Sequence, residues 1–280
     1  MSLLHAELLA ARKRPGVWIV GGAWTALAAV FGMLVPYIVY LAVRGKPADS
    51  GDDPGQLLAG VLPDRFVAGT ASLYPMFGSA MMLILGAVLF GGEYRWGTWN
   101  TLLIQRPGRV PVVLGKFAAT ALVLLGITLA VTAVTAAASA LIALAAGRAA
   151  QWPGPLTVLQ GVGAGWLVSM AAAALGAFLA VLFRGTGAAI GVGLVWLLAV
   201  ENLVSGIVGM VSGLKVLQQL LIGPNGGSLA SALAPAGAPP SSVPGVVSVS
   251  SPATATLVLL AYVVVLAAAT AWLIRRRDTP

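Results

Sequence analysis

Six apolar runs, each long enough to cross a lipid bilayer, decide what this chain can fold into. A membrane-spanning helix needs about 17–25 mostly apolar residues. Runs of that kind cover about 17–43, 69–90, 117–146, 156–183, 188–204 and 253–274. Hydrocarbon offers backbone N–H and C=O groups no water, so each run must close its hydrogen bonds internally as a helix. Charge content agrees: 9% of the 280 residues are charged, against about 25% in a soluble domain. The sequence therefore predicts an all-α integral membrane protein, one transmembrane domain over 1–280 built as a six-helix bundle.

The segments between the runs refine this picture. Residues 1–15 place Leu4 and Leu8 on one stripe ahead of the basic cluster Arg12, Lys13 and Arg14. That pattern suits a short helix lying at the membrane interface, or else a frayed tail. The run 17–43 exceeds the 7–15 residues, roughly, of a signal-peptide core, and reads as an uncleaved first span. Residues 44–68 form a polar loop with Asp49, Asp52, Asp53 and Asp64. In 207–222, Ile207, Met210, Val211, Leu214, Leu217 and Leu221 recur at helical spacing opposite Ser212, Lys215 and Gln219. This is the pattern of an amphipathic, interfacial or re-entrant helix before the last span. The Gly-, Pro- and Ser-rich residues 223–252 read as an irregular loop.

The net charge of +8 is spread over the ends of the apolar runs and not gathered in one patch. That excludes a nucleic-acid footprint and matches the positive-inside bias. With both termini cytoplasmic, eleven of the 16 Lys and Arg residues lie inside and five outside. Loops 44–68 and 207–252 then face out of a prokaryotic cell membrane. The surrounding lipid is itself a partner.

Absent residues exclude whole classes of chemistry. The chain has no cysteine and one histidine, His5, outside the spans. It lacks the G-x-x-x-x-G-K-[ST] phosphate loop, and "GTGAAIGVG" (185–193) opens a span, so it reads as helix packing. No catalytic, cofactor-binding or metal-ligating set is predicted, and the chain reads as not an enzyme. The small-xxx-small pairs Gly161/Gly165 and Gly209/Gly213 fit close helix approach, but glycine is common enough here for chance. Glu201, followed by Asn202, is the one acid near a span interior. It reads as a solvated helix end, a polar contact holding the outer helix, or a group lining a translocation pathway.

Chemistry concentrates instead in 91–116, "GGEYRWGTWNTLLIQRPGRVPVVLGK". A helix here would put Glu93, Trp96, Gly97 and Asn100 on one face. Pro107 would end it, "RPGR" would turn the chain, and Arg109 and Lys116 would flank the return to the membrane. Composition alone fits either an ordinary interfacial loop or a docking segment.

The spacing resembles the membrane subunits of type-2 ATP-binding-cassette (ABC) exporters. Matching positions are Glu93, Gly97-Thr98, Leu102-Leu103, Pro107-Gly108-Arg109 and Gly115-Lys116. The resemblance extends more weakly to the six-span layout. It implies a permease subunit whose 91–109 loop is a coupling helix docked on a separate ATPase. Glu93, Arg95, Trp96, Gly97, Thr98, Trp99, Pro107, Arg109 and Lys116 would be the coupling residues. Trp96 and Trp99 would act as anchors. Glu93 and Arg95 would pair with each other, with the ATPase or with neighbouring helix ends. The implied assembly has two ATPase copies carrying ATP and magnesium, and a second membrane subunit, identical or related. The alternatives are a secondary transporter or channel, or a structural membrane protein.

Overall fold

The computed structural model describes residues 3–44, 54–95, 108–208, 214–235 and 243–276. All regular structure among them is helical. Six helices are long and apolar enough to cross a membrane: Pro15–Val43, Phe66–Tyr94, Val110–Ala145, Pro155–Phe183, Thr186–Ile207 and Pro252–Arg276, called spans 1 to 6 below. The chain is thus a multi-pass membrane protein. A separate helix, Leu3–Lys13, precedes span 1.

Spans 2 and 4 form the centre. Each has 67% of its most apolar stretch buried, against 11–33% for the other four. The reason is steric. A Cβ at Gly86 would sit 2.1 Å from the Ala173 carbonyl oxygen, and one at Gly176 would sit 2.1 Å from that of Leu83. The two helices meet backbone to backbone, which only glycine permits. The alanines of span 4 (Ala171–Ala174, Ala177 and Ala180) fill the same seam and are buried. Gly161 and Gly165 extend it, packing on Val67 and the Tyr74 ring. Chance therefore does not account for that pair, whereas Gly209/Gly213 lies outside the described residues. Within 185–193, Gly193 packs closely on Leu83, whereas a Cβ at Gly187 or Gly191 would meet nothing within 4 Å. Large side chains such as Ile19, Leu141, Leu257 and Val264 point outward. A soluble protein would not expose so much apolar surface, whereas lipid accepts it.

Several boundaries differ from the sequence reading. Span 2 starts at Phe66 and its helix runs to Arg95, while the helix containing span 3 begins at Arg109. The connection between them is therefore shorter than 91–116, and Lys116 stands two turns inside a helix. Pro111 is no obstacle, because first-turn N–H groups have no helical partner anyway. Loop 44–68 contains a helix, Pro54–Val61, whose Leu58 and Val61 join Met33, Phe66 and Ile142 in a second small core. Of residues 207–222, those at 209–213 lie outside the described residues, and the backbone is extended at Leu221, where the next helix, Ile222–Ala232, is about to begin. Ile207 ends the Glu201–Ile207 helix, and Leu214–Leu220 is the other described helical part.

The "irregular loop" 223–252 begins with a helix, Ile222–Ala232, buried along most of its length. Its glycines and serines serve close packing rather than turns: Gly226 lies against Val168, and a Cβ on Gly227 would come 2.1 Å from the Gly245 carbonyl oxygen. Spans 1, 2 and 5 each contain one π-helical turn, Val30–Leu34, Tyr74–Gly78 and Val195–Val200. Each accommodates an extra residue and re-aims the helix beyond it.

Candidate functional site

Two buried polar clusters stand out in this apolar bundle, and the chain's three glutamates all belong to them. The first lies where the connection between spans 2 and 3 meets the bundle. Pro15 opens span 1 and leaves Arg14 as its N-cap, with extended backbone. That places the Arg14 guanidinium beside the last turns of span 2. It donates to the Leu89 carbonyl at 2.8 Å and to Glu93 Oε1. A cation at a helix C-terminus also meets the negative end of the helix dipole. Lys116 Nζ donates to the same Glu93 oxygen at 2.7 Å and to Glu7 Oε2 at 3.2 Å. The ammonium sits 5.7 Å from the centre of the Phe90 ring.

Two acids and two bases balance. The side chains of Glu93 and Lys116 are only 6% and 5% exposed. Charges so buried persist only when paired and hydrogen-bonded. The cluster ties four elements together: the amino-terminal helix, the start of span 1, the end of span 2 and the start of span 3. It also pins both ends of the connecting segment.

Of the coupling residues expected from sequence, the fold brings Glu93 and Lys116 into direct contact. Glu93 is engaged with neighbouring helix ends, one of the three arrangements open to it. Trp96, Gly97, Thr98, Trp99 and Pro107 lie outside the described residues. Arg95 and Arg109 are described as backbone only, the last and first residues of their helices. Sequence reasoning missed Glu7 and Arg14 as members. Their contacts span 109 and 79 residues of chain. The available signal was rarity: Glu7 is the only acid before Asp49.

The second cluster surrounds Glu201, which is 2% exposed. It comes directly after the π turn of span 5. Its carboxylate accepts from Gly223 N at 2.6 Å, Ile222 N at 3.3 Å and Trp196 Nε1 at 3.1 Å. A carboxylate thus caps the positive end of the Ile222–Ala232 helix. Asn202 donates to the carbonyls of Leu197 and Leu198 within that turn. Asn225 and Ser228 complete the fastening through Leu221, Val249 and Ser250. Of the three readings of Glu201, burial excludes the solvated helix end, and the carboxylate holds a helix that lies outside the spans. A cavity of about 60 Å³ adjoins it, lined by Asn202, Ser205, Pro75 and Val247.

A third feature was legible but not read. From Lys116, span 3 carries Thr120, Thr128, Thr132, Thr135 and Ser139 at intervals of three, four or eight residues, which is one helical face. Thr70 donates to Thr135 at 3.0 Å and Ser139 to the Val61 carbonyl at 2.7 Å. In lipid such hydroxyls hold helices together.

Comparison with known families gives a match over most of the chain. The family described as "Protein of unknown function (DUF2705)" matches residues 58–279. The chain belongs to the DUF2705 family. No curated protein matches it. The DUF2705 match takes in all of spans 2 to 6, with Glu93, Lys116 and Glu201. It leaves out Glu7 and Arg14, so the first cluster joins the matched region to the segment that precedes it.

Proposed function

We propose that this DUF2705 chain is the membrane-spanning subunit of an ATP-driven exporter of the type-2 ABC kind. Residues 91–109 dock on a separate ATPase, with Trp96 and Trp99 as rigid anchors that lose little entropy on binding. The working assembly holds two ATPases, which bind ATP and magnesium, and a second membrane subunit. Both termini face the cytoplasm, with Leu3–Lys13 on the inner interface and Ile222–Ala232 in the outer half.

One observation carries the reading. The Glu7–Lys116–Glu93–Arg14 cluster fixes both ends of the connecting segment to three spans and the amino-terminal helix. Force applied to that segment would pass to those elements as one rigid body, which is what coupling to ATPase closure requires. The engagement of Glu201 with Ile222 and Gly223 counts against an ion-coupled transporter, whose one intramembrane acid is already spoken for.

The test is purification of the tagged full chain from its native membranes in mild detergent. A nucleotide-hydrolysing subunit is expected at about one per chain, and should be lost when Trp96 and Trp99 are both changed to alanine. A folded chain with no such subunit would return the function to a secondary transporter, channel or structural role.

A further inference from the structure

Between the amino-terminal helix, span 1 and span 3 lies an open trench of about 840 Å³. Glycines make its floor: a Cβ at Gly22 or Gly126 would meet nothing within 4 Å. Val17, Trp18, Leu122 and Ile127 form its walls. One charged residue lines it, Arg12, in the last turn of the Leu3–Lys13 helix. The neighbouring cations Arg14 and Lys116 are committed to Glu93 and Glu7. Among the described residues no carboxylate pairs with Arg12, whose side chain is exposed. Trp18 Nε1 donates to the Arg12 carbonyl at 2.8 Å and so holds this helix end at the mouth of the trench.

We propose that the trench binds one anionic phospholipid, with the headgroup phosphate on Arg12 and an acyl chain laid over Gly22 and Gly126. The depth fits. The lining on span 3 runs from Leu122 to Val134, about 18 Å at 1.5 Å per residue. The hydrocarbon of one leaflet is about 15 Å deep, half of the core. The chemistry fits as well. The walls ask only for hydrocarbon, while the single guanidinium of the lining, whose fork matches phosphate, stands at the end where a headgroup would lie. Lys13 in the same turn adds positive potential. A lipid seated here would touch the amino-terminal helix and spans 1 and 3 together, reinforcing on the outside the junction that the ion-pair cluster makes within.

The test is native mass spectrometry of the purified full chain, offered phosphatidylglycerol and phosphatidylcholine with the same acyl chains. The wild type should retain one phosphatidylglycerol per chain, preferred about fivefold over phosphatidylcholine. Arg12→Gln should abolish the preference and Gly126→Leu the retention, while Arg148→Gln should change neither. Open space at the Gly126 Cβ lets the larger side chain fill the trench without a clash, and an unchanged melting midpoint would verify folding. Should that variant fail to fold, Gly22→Leu fills the trench from span 1 instead. Equal retention of the two lipids, or wild-type behaviour in either substituted site, overturns the proposal. So does a dimer that Gly126→Leu splits, which would assign the trench to a second copy of the chain.

Discussion

Glu93 illustrates how burial changes the meaning of a residue. As a sequence position it belongs to a docking face, and its replacement should uncouple an ATPase while leaving the chain inserted. In the fold one of its oxygens receives both Arg14 and Lys116, and its side chain is 6% exposed. Removing one partner of a buried pair costs about 3–5 kcal/mol, because the charge left behind is desolvated and unmatched. Replacing both by apolar groups of similar volume costs far less. Glu93→Met should therefore lower the unfolding midpoint in detergent sharply, and Glu93→Met with Lys116→Met should recover most of that loss. The double variant leaves Arg14 without Glu93 and Glu7 without Lys116, but these opposite charges are 26% and 11% exposed, less buried than the pair removed, and can turn to solvent or to each other. Equal destabilisation of the single and double variants would show that the pair is not the source of the effect. It follows that Glu93 is a poor probe of the proposed coupling, since its replacement would disturb folding whatever the segment docks on. Trp96 and Trp99 are the cleaner positions.

At the scale of elements, the short helix Ile222–Ala232 depends on a turn in another helix. The π turn Val195–Val200 holds one residue more than an α-helix would, and Glu201 comes immediately after it. Deleting Ala199 alone would let the turn relax to α geometry with Glu201 still in phase, because the turn absorbs one extra residue; deleting Leu198 and Ala199 together removes one more. That further residue rotates the remainder of the helix by about 100°, enough to swing the carboxylate away from Ile222 and Gly223. The deletion and Glu201→Ala should both raise amide hydrogen exchange in 222–232, leaving spans 2 and 4 protected. Unaltered exchange in the deletion variant would mean that the aim of Glu201 does not hold this helix. The same helix shows where sequence reading runs out. The six spans were legible because lipid imposes a length and a composition that few other structures share. Gly, Pro and Ser in 223–232 signal a loop only where water surrounds the chain. Inside a bundle the same small residues allow backbones to touch, as Gly227 does at Gly245. The distinction lies in burial, which no local pattern encodes. Likewise Lys116 and Glu93 could be singled out as rare charges, whereas Glu7 and Arg14 became part of that site only through contacts across 79 and more residues.

For the whole molecule the deciding quantity is orientation, because it says which cluster meets cytoplasmic ATP. Six spans place both ends of the chain on the same side, and the fold gathers Arg12, Arg14 and Lys116 at the end where Glu93 lies. Arg184, in the turn between spans 4 and 5, lies at that end too, since Gly91 touches Thr186 there. Arg148 comes after span 3 at the opposite end. The positive-inside bias predicts a cytoplasmic position for the first group. The chain has no cysteine, so single cysteines can be introduced without a background. In intact cells a membrane-impermeant maleimide should modify Arg148→Cys and spare Arg184→Cys. In inverted vesicles the pattern should reverse. Both positions are exposed in the fold, so protection would report sidedness and not burial. The opposite labelling pattern would put Glu93 and the connecting segment outside the cell, where no cytoplasmic ATPase could dock, and would remove the exporter reading at a stroke. The predicted pattern would leave the segment between Glu93 and Lys116 as the cytoplasmic handle on a clamp of three spans, which is the geometry that ATP-driven coupling needs.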